Sequence, residues 1–258
     1  MIGIVYPSPI FGPVQSRRLG LSLGINLMPA DGKICTFDCI YCECGFNATH
    51  RPSTHRPTRQ EVARALEQKL QQMDSEGRLP DVLTFAGNGE PTAHPDFPAI
   101  IDDTLSLRDR YCPKAKVSVL SNATRLNIGE VHAALMKVDN NIQKLDTVSP
   151  DYITKLDRPV GHYDVREVIS ALEVFGGKVI IQTMFLKGTS QGHDMDNTTD
   201  AYVKPWIETL RRIRPQKVMI YTIDRPTPDT TLEKAEPAEL DRIAGLVREA
   251  GIEAEVAY

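Results

Sequence analysis

Residues 58–85 read TRQEVARALEQKLQQMDSEGRLPDVLTF, and the two halves of this stretch follow different periods. Thr58-Arg59-Gln60-Glu61 has the spacing of a capping box, in which a hydroxyl and a carboxylate each satisfy an orphan backbone donor at a helix start. Val62, Leu66, Leu70 and Met73 then recur at helical spacing. Residues 81–85 follow as a short apolar strand of the kind buried on both faces. A helix joined to such a strand is one unit of an α/β fold.

The same unit recurs outward in both directions. Upstream, residues 23–27 read as a first strand. Downstream comes a helix carrying Phe97, Ile100, Ile101 and Leu105, a strand at 116–120, and a helix with Val131, Ala134, Leu135 and Val138 that Asn127 is placed to cap. A weaker strand at 141–145 precedes a helix with Val165, Val168, Ile169 and Leu172, stopped by Gly176-Gly177. Residues 178–184 are a strand, Val203, Trp206, Ile207, Leu210 and Ile213 a helical stripe, and 217–221 a strand. A last helix with Leu240, Ile243 and Val247 ends at Gly251. Buried strands separated by helices imply parallel pairing through right-handed crossovers. About six units are too few for a closed eight-fold barrel, so the expectation is a partial (β/α)6 TIM barrel with its chemistry at the carboxyl ends of the strands. The run 188–197, with His193, Asp194 and Asp196, reads as a long mobile loop near that end.

The 258 residues are 41% hydrophobic and 25% charged, which excludes disordered and fibrous classes. Nothing in composition splits the chain, so one domain is expected over residues 1–258, with residues 1–24 as a leader folding over the barrel. Lys+Arg 30 against Asp+Glu 34 gives a net charge of -4, which disfavours a broad polyanion-binding surface. No apolar run reaches membrane-spanning length, and Met1-Ile2-Gly3-Ile4 lacks a signal-peptide pattern. The expectation is a cytoplasmic protein with no membrane partner.

Five cysteines are too few and too uneven for a disulfide framework. Four fall together: Cys35, Cys39, Cys42 and Cys44. Residues 35–42 place three thiols at CxxxCxxC spacing after the first strand, where soft thiolates select zinc, copper(I) or iron–sulfur clusters. Three cysteines on a short loop can wrap one cubane and leave its fourth iron open. A zinc site recruiting Cys44, His50 or His55 is the alternative. The iron–sulfur reading is preferred because only one knuckle is present. Cys44 reads as a spare thiol and Cys112 as structural.

CxxxCxxC with Tyr41 just before the last cysteine resembles the radical S-adenosylmethionine (SAM) superfamily. So does Gly87-Asn88-Gly89-Glu90-Pro91 after the second strand. Further similarity to the wyosine-synthase-like branch lies in Ser16-Arg17-Arg18-Leu19-Gly20, Leu23-Gly24-Ile25-Asn26, Lys144-Leu145-Asp146, Arg158-Pro159 and Arg225-Pro226. The resemblance implies a [4Fe-4S] cluster on Cys35, Cys39 and Cys42, with SAM bound at the open iron. It further implies an electron donor of flavodoxin or ferredoxin type, and reductive cleavage of SAM to a 5′-deoxyadenosyl radical that abstracts hydrogen from a substrate. No catalytic side chain is implied beyond the cluster and SAM.

Carried over position by position, the resemblance puts Gly87, Asn88, Gly89 and Glu90 at the amino group of SAM. Glycines permit close backbone approach there, and Glu90 can accept from an ammonium. Ser121 and Asn122 end the third strand and are assigned to the SAM ribose or carboxylate, with a simple turn as the competing reading. Asp146 is assigned to a ribose hydroxyl or the substrate, against a reading in which it and Lys144 are a charged pair facing solvent. Gln182 needs a partner if buried, and SAM can be that partner. Tyr41 is placed against the adenine, and Tyr221 offers it backbone groups. Arg17, Arg18 and Lys144 are the substrate candidates. The leading expectation is a single-cluster radical SAM enzyme acting on a small molecule or peptide. Wyosine-type tRNA modification is disfavoured, because in the family it depends on further cysteines ahead of the loop and residues 1–34 hold none. A glycyl-radical-enzyme activase and a non-catalytic zinc-binding module are the remaining alternatives.

Overall fold

The computed structural model describes residues 3–16, 19–49 and 51–258; Arg17, Arg18 and His50 lie outside the described residues. Residues 10–25 form a hairpin. β1 (Ile10–Ser16) and β2 (Gly20–Ile25) pair antiparallel, with Ile10 facing Ile25 and Ser16 facing Gly20. Gly24 makes this pairing possible, because a Cβ there would lie 2.2 Å from the Phe11 ring.

α1 (Arg59–Ser75) starts with the expected capping box. The Thr58 amide donates to Glu61 Oε2 at 2.7 Å, and the Glu61 amide donates to Thr58 Oγ1 at 3.3 Å. Val62, Leu66, Leu70 and Met73 are its buried stripe, each such side chain stabilising the fold by about 1.5–3 kcal/mol relative to exposure. β3 (Val82–Phe85), α2 (Phe97–Tyr111) and β4 (Lys116–Ser121) follow within a residue or two of their expected bounds. α3 (Gly129–Leu135) corrects one detail: its N-cap is Ile128, with no side-chain cap, so Asn127 does not hold that end. β5 (Asn140–Lys144) leads into a helix the periodicity did not reveal, α4 (Pro150–Leu156). Its seven residues are too short for a 3.6-residue repeat to stand out. α5 (Val165–Val174) and β6 (Ile180–Met184) restore the expected pattern.

The run 188–197, expected as a mobile loop, is largely regular. β7 (Leu186–Ser190) pairs with β8 (His193–Asp194), and after α6 (Asp200–Ile213) and β9 (Lys217–Tyr221) the chain returns as β10 (Leu232–Lys234) against β7. That partner lies some forty residues downstream, where no local pattern announces it. α7 (Pro237–Glu249) then leads to β11 (Ala254–Ala257), a short strand parallel to β9 that the sequence reading also missed.

The main sheet runs β1-β2-β3-β4-β5-β6-β9-β11, with every neighbouring pair parallel except β1–β2. It is a partial TIM barrel with one more parallel strand than expected. Period-two alternation divides its side chains between two faces. Leu83, Val117, Val119, Ile181, Val218 and Ile220 pack with the helices in the main core. Ile142, Ile180 and Met219 form a smaller cluster with Leu19 and Leu120 on the concave face. A third cluster joins Ile40, Tyr152, Leu156, Met184, Leu186, Met195 and Ile223 where α4 and the small sheet meet the cysteine loop. No described helix is long and apolar enough to cross a membrane.

Candidate active site: the cysteine loop at the barrel mouth

The cysteine loop leaves β2 at the carboxyl ends of the strands and is tied down on two sides. On one side Ile34 forms a parallel bridge with Gly89. The Ile34 amide donates to Asn88 O at 3.0 Å and the Glu90 amide donates to Ile34 O at 3.2 Å. Gly89 has φ +140°, and a Cβ on it would stand 1.8 Å from the Ile34 carbonyl oxygen. Only glycine admits so close an approach. The glycine stretch is therefore a brace for the loop, a task its sequence alone did not disclose. On the other side the turn after α4 runs alongside. The amide of Ile40 donates to Leu156 O at 3.0 Å, that of Asp38 to Asp157 O at 2.9 Å, and that of Val160 to Thr36 O at 2.8 Å.

Each of the three expected ligands has a nitrogen donor nearby. Asn122 Nδ2 is 3.6 Å from Cys35 Sγ, and Lys144 Nζ is 3.5 Å from Cys39 Sγ. Lys33 donates to Gly45 O at 2.6 Å, and the Gly45 amide donates in turn to Cys42 O at 2.9 Å. Burial pushes the Cys35 thiol up to about 12 and that of Cys39 well above its ordinary value. A hydrogen bond from the Cys44 thiol, helped by Lys33, lowers Cys42 to about 6; the same contact, with burial, raises Cys44. Cys44 Sγ contacts Gly87 O at 3.4 Å. Cys112 is buried with the main core, away from the loop.

Lys144 and Asp146 do not face solvent as the competing reading had it. Lys144 pairs with Asp146 at 2.6 Å and with Asp157 at 2.8 Å, and its side chain is 14% exposed. Tyr41 completes the group: its hydroxyl bonds both Asp146 and Lys144, and Lys144 Nζ lies 4.3 Å from the ring centroid. Asp146 also accepts the Met184 amide at 2.8 Å. Opposed carboxylates keep the Lys144 ammonium charged despite burial, whereas burial lifts Asp157 to about 6. Lys144, a substrate candidate, is enclosed here by Cys39, Tyr41 and two carboxylates.

Glu90 is likewise engaged by protein groups. Its carboxylate is buried and accepts from the Thr92 amide at 3.0 Å, Thr92 Oγ1 at 2.5 Å, the Asn122 amide at 2.6 Å and Ser121. Its side chain thereby ties the end of β4 to the glycine stretch. Asn88 likewise links backbone groups: its amide donates to Tyr6 O and Pro29 O at 2.8 Å, and its Oδ1 accepts from the Tyr6 amide at 2.8 Å. Gln182 lies opposite Lys144 in the β5–β6 register, and Tyr221 opposite Met184 in β6–β9. Gly87, with φ +129°, abuts Asn26. Ser121 Oγ accepts from the Ala123 amide at 3.1 Å.

Sequence reasoning missed Lys33, Asp157 and a clasp over the loop. Arg225 Nη1 donates to Tyr6 at 2.7 Å and to Glu43 at 2.8 Å, while the Tyr6 hydroxyl donates to Glu43 at 2.9 Å. The only advance signal was position: Lys33 stands two residues before Cys35, Asp157 precedes Arg158-Pro159, and Arg225 precedes Pro226. Three thiols with Asn122 at Cys35, Lys144 at Cys39 and the buried Lys33 beside the same loop form a donor set suited to an iron–sulfur cluster, whose thiolates take such hydrogen bonds. Among the described residues no three His, Cys, Asp or Glu side chains are gathered as ligands of a single ion.

The family model of the radical SAM superfamily matches residues 31–201, from the cysteine loop to the start of α6. The UPF0026 protein slr1464 of Synechocystis sp. is 30% identical over 223 residues, covering 85% of this chain and 77% of the relative. A radical SAM methyltransferase from Sphaerobacter thermophilus shares the fold with a TM-score of 0.68 at 17% identity, over 92% of this chain and 66% of that one. Archaeal TYW1 does so at 0.52 and 13% identity, over 89% of this chain and 72% of its own. With a family match across most of the chain and a barrel mouth built around its cysteine loop, the chain belongs to the radical SAM superfamily and is a radical SAM enzyme.

Proposed function

We propose that the chain holds one [4Fe-4S] cluster on Cys35, Cys39 and Cys42 and uses it to act on a small-molecule or peptide substrate. The observation that carries this reading is the braced cysteine loop at the carboxyl ends of the strands, with Lys144 3.5 Å from Cys39 Sγ and Lys33 buried beside the loop. Held by Cys35, Cys39 and Cys42, such a cluster would supply, together with SAM, the one-electron reductive chemistry of the radical SAM family. The chain's own residues bind, orient and exclude water. Gly89 and the α4 turn fix the loop backbone. Ile40, Met184, Leu186 and Ile223 form an apolar wall behind it. The side chains of Tyr41 and Gln182 and the backbone of Tyr221 are the groups this reading assigns to the nucleoside of SAM. The glycine stretch approaches SAM through its backbone, because the side chains of Asn88 and Glu90 hold protein groups.

The small substrate is favoured over tRNA by the net charge of -4 and by the lack of cysteines before Cys35. A flavodoxin- or ferredoxin-type protein supplies the electron, and the cytoplasm, which keeps thiols reduced, is the compartment that suits the loop. The test is anaerobic reconstitution followed by dithionite and SAM. The intact chain is expected to take up iron and sulfide and release 5′-deoxyadenosine; Cys39→Ala is expected to do neither, while Cys44→Ala keeps both. Stoichiometric zinc without sulfide would sink the proposal. Salt-sensitive tRNA binding that raises 5′-deoxyadenosine release would move the substrate to tRNA.

A further inference from the structure

Two lysines are buried beside the cysteine loop, and the proposed chemistry gives neither a part in hydrogen abstraction. Lys33, with a side chain 2% exposed, lies on the Cys42 side, touching the Gly45 carbonyl and standing 3.6 Å from Asp38. Lys144 lies on the Cys39 side between Asp146 and Asp157. Asp157 Oδ1 is itself 3.5 Å from Cys39 Sγ, so one thiol has a cation and an anion against it. Buried charges are screened little by water, and hydrogen bonds and net charge around the sulfurs are what set an iron–sulfur potential.

We propose that Lys33 and Lys144 are positioning residues that tune the cluster: each holds a thiolate and favours the electron-loaded form, while Asp157 opposes it. This rests on the cluster reading above. In the step concerned, one electron leaves an external donor, which is oxidised, and enters the cluster, which gains one negative charge; no bond forms or breaks. Lys33 has the larger share, because its carboxylate partner Asp38 is more distant than the two that flank Lys144. Glu90, whose carboxylate accepts the backbone amide of the Asn122 that contacts Cys35, adds to the opposing charge.

The test is a dithionite titration followed by electron paramagnetic resonance, without SAM, on reconstituted chains whose iron and sulfide have been counted. Lys33→Met is expected to lower the one-electron reduction constant at least roughly ten-fold, a potential lower by about 59 mV. Lys144→Met lowers it by less. Asp157→Asn raises it, and Lys33→Arg and Lys144→Arg stay within about three-fold of the parent, since arginine keeps the charge. Opposite signs for the lysine and aspartate variants are a result that mere loosening of the loop does not give. Shifts of one sign throughout, or none, overturn the inference. Where a methionine variant binds no cluster, recovery in the matching arginine variant supports it, and failure there overturns it. A parent chain that takes up no iron and sulfide overturns instead the cluster reading beneath it.

Discussion

On the helix-covered face of the sheet, Leu23, Leu83, Val117, Ile181 and Ile220 are sealed by Leu66, Phe97, Trp206 and Leu240. At the mouth the groups withdrawn from water are instead Lys33, Glu90, Asp146 and Asp157, with a side-chain amide at Asn88 and Asn122. Apolar burial is favourable for each residue in turn and tolerates local change. A buried charge is unfavourable until its partner is in place, so the mouth holds together only as a set. The first region makes the chain fold. The second depends on that fold to force its charges together, and a carbonyl oxygen against a glycine matters more there than a whole side chain.

Gly89→Ala breaks the comparison most sharply. The added Cβ meets the Ile34 carbonyl oxygen at 1.8 Å with φ at +140°, so the loop must move off its brace. Reconstituted iron is expected to fall by roughly ten-fold while far-ultraviolet circular dichroism keeps its helix signal; full iron content would show that the brace is dispensable. Leu66→Ala tests the other region. It removes a fully buried side chain from α1 and is expected to cost about 2–5 kcal/mol in a denaturant titration, with iron content per folded chain unchanged. Thr58→Ala, which deletes one arm of the capping box, should cost about 1 kcal/mol and again leave the cluster alone.

The smallest effect concerns pH. His94 is buried, its Nε2 2.9 Å from Pro57 O and its Nδ1 accepting the Asp96 amide at 3.1 Å, and burial lowers its pKa. The folded chain then binds fewer protons than the unfolded one, so this contribution is complete above about 6.5 and declines as pH falls below it. Melting temperatures at about pH 7.5 and 5.5 should differ more for the parent than for His94→Gln, which keeps a donor and an acceptor. An equal drop in both would remove His94 from the account.

The helix-covered region was legible because its residues repeat. Val62, Leu66, Leu70 and Met73 announce α1, and the alternation of Ile180, Gln182 and Met184 against Ile181 and Thr183 announces which face of β6 is which. α4, β10 and β11 escaped because short elements hold too few turns or pleats for a period to emerge. The cysteines were visible through spacing, and Tyr41 and the glycine stretch through the family resemblance. Their neighbours were not: Lys33, Asp157 and the Tyr6–Glu43–Arg225 clasp carry no local pattern. Even Glu90 and Lys144, singled out from the sequence, were assigned to ligand or substrate and proved to hold parts of the protein itself.

What the sequence by itself determined is the alternation of helix and strand, the parallel sheet that follows from it, and the three thiols on the first loop. These depend on spacing along the chain, which a residue keeps whatever its surroundings. Only the tertiary structure decided which charges lie against which sulfur, because Lys144 and Asp157 reach Cys39 from more than a hundred residues away. Such contacts exist only once the apolar faces have closed and left those groups no water to turn to.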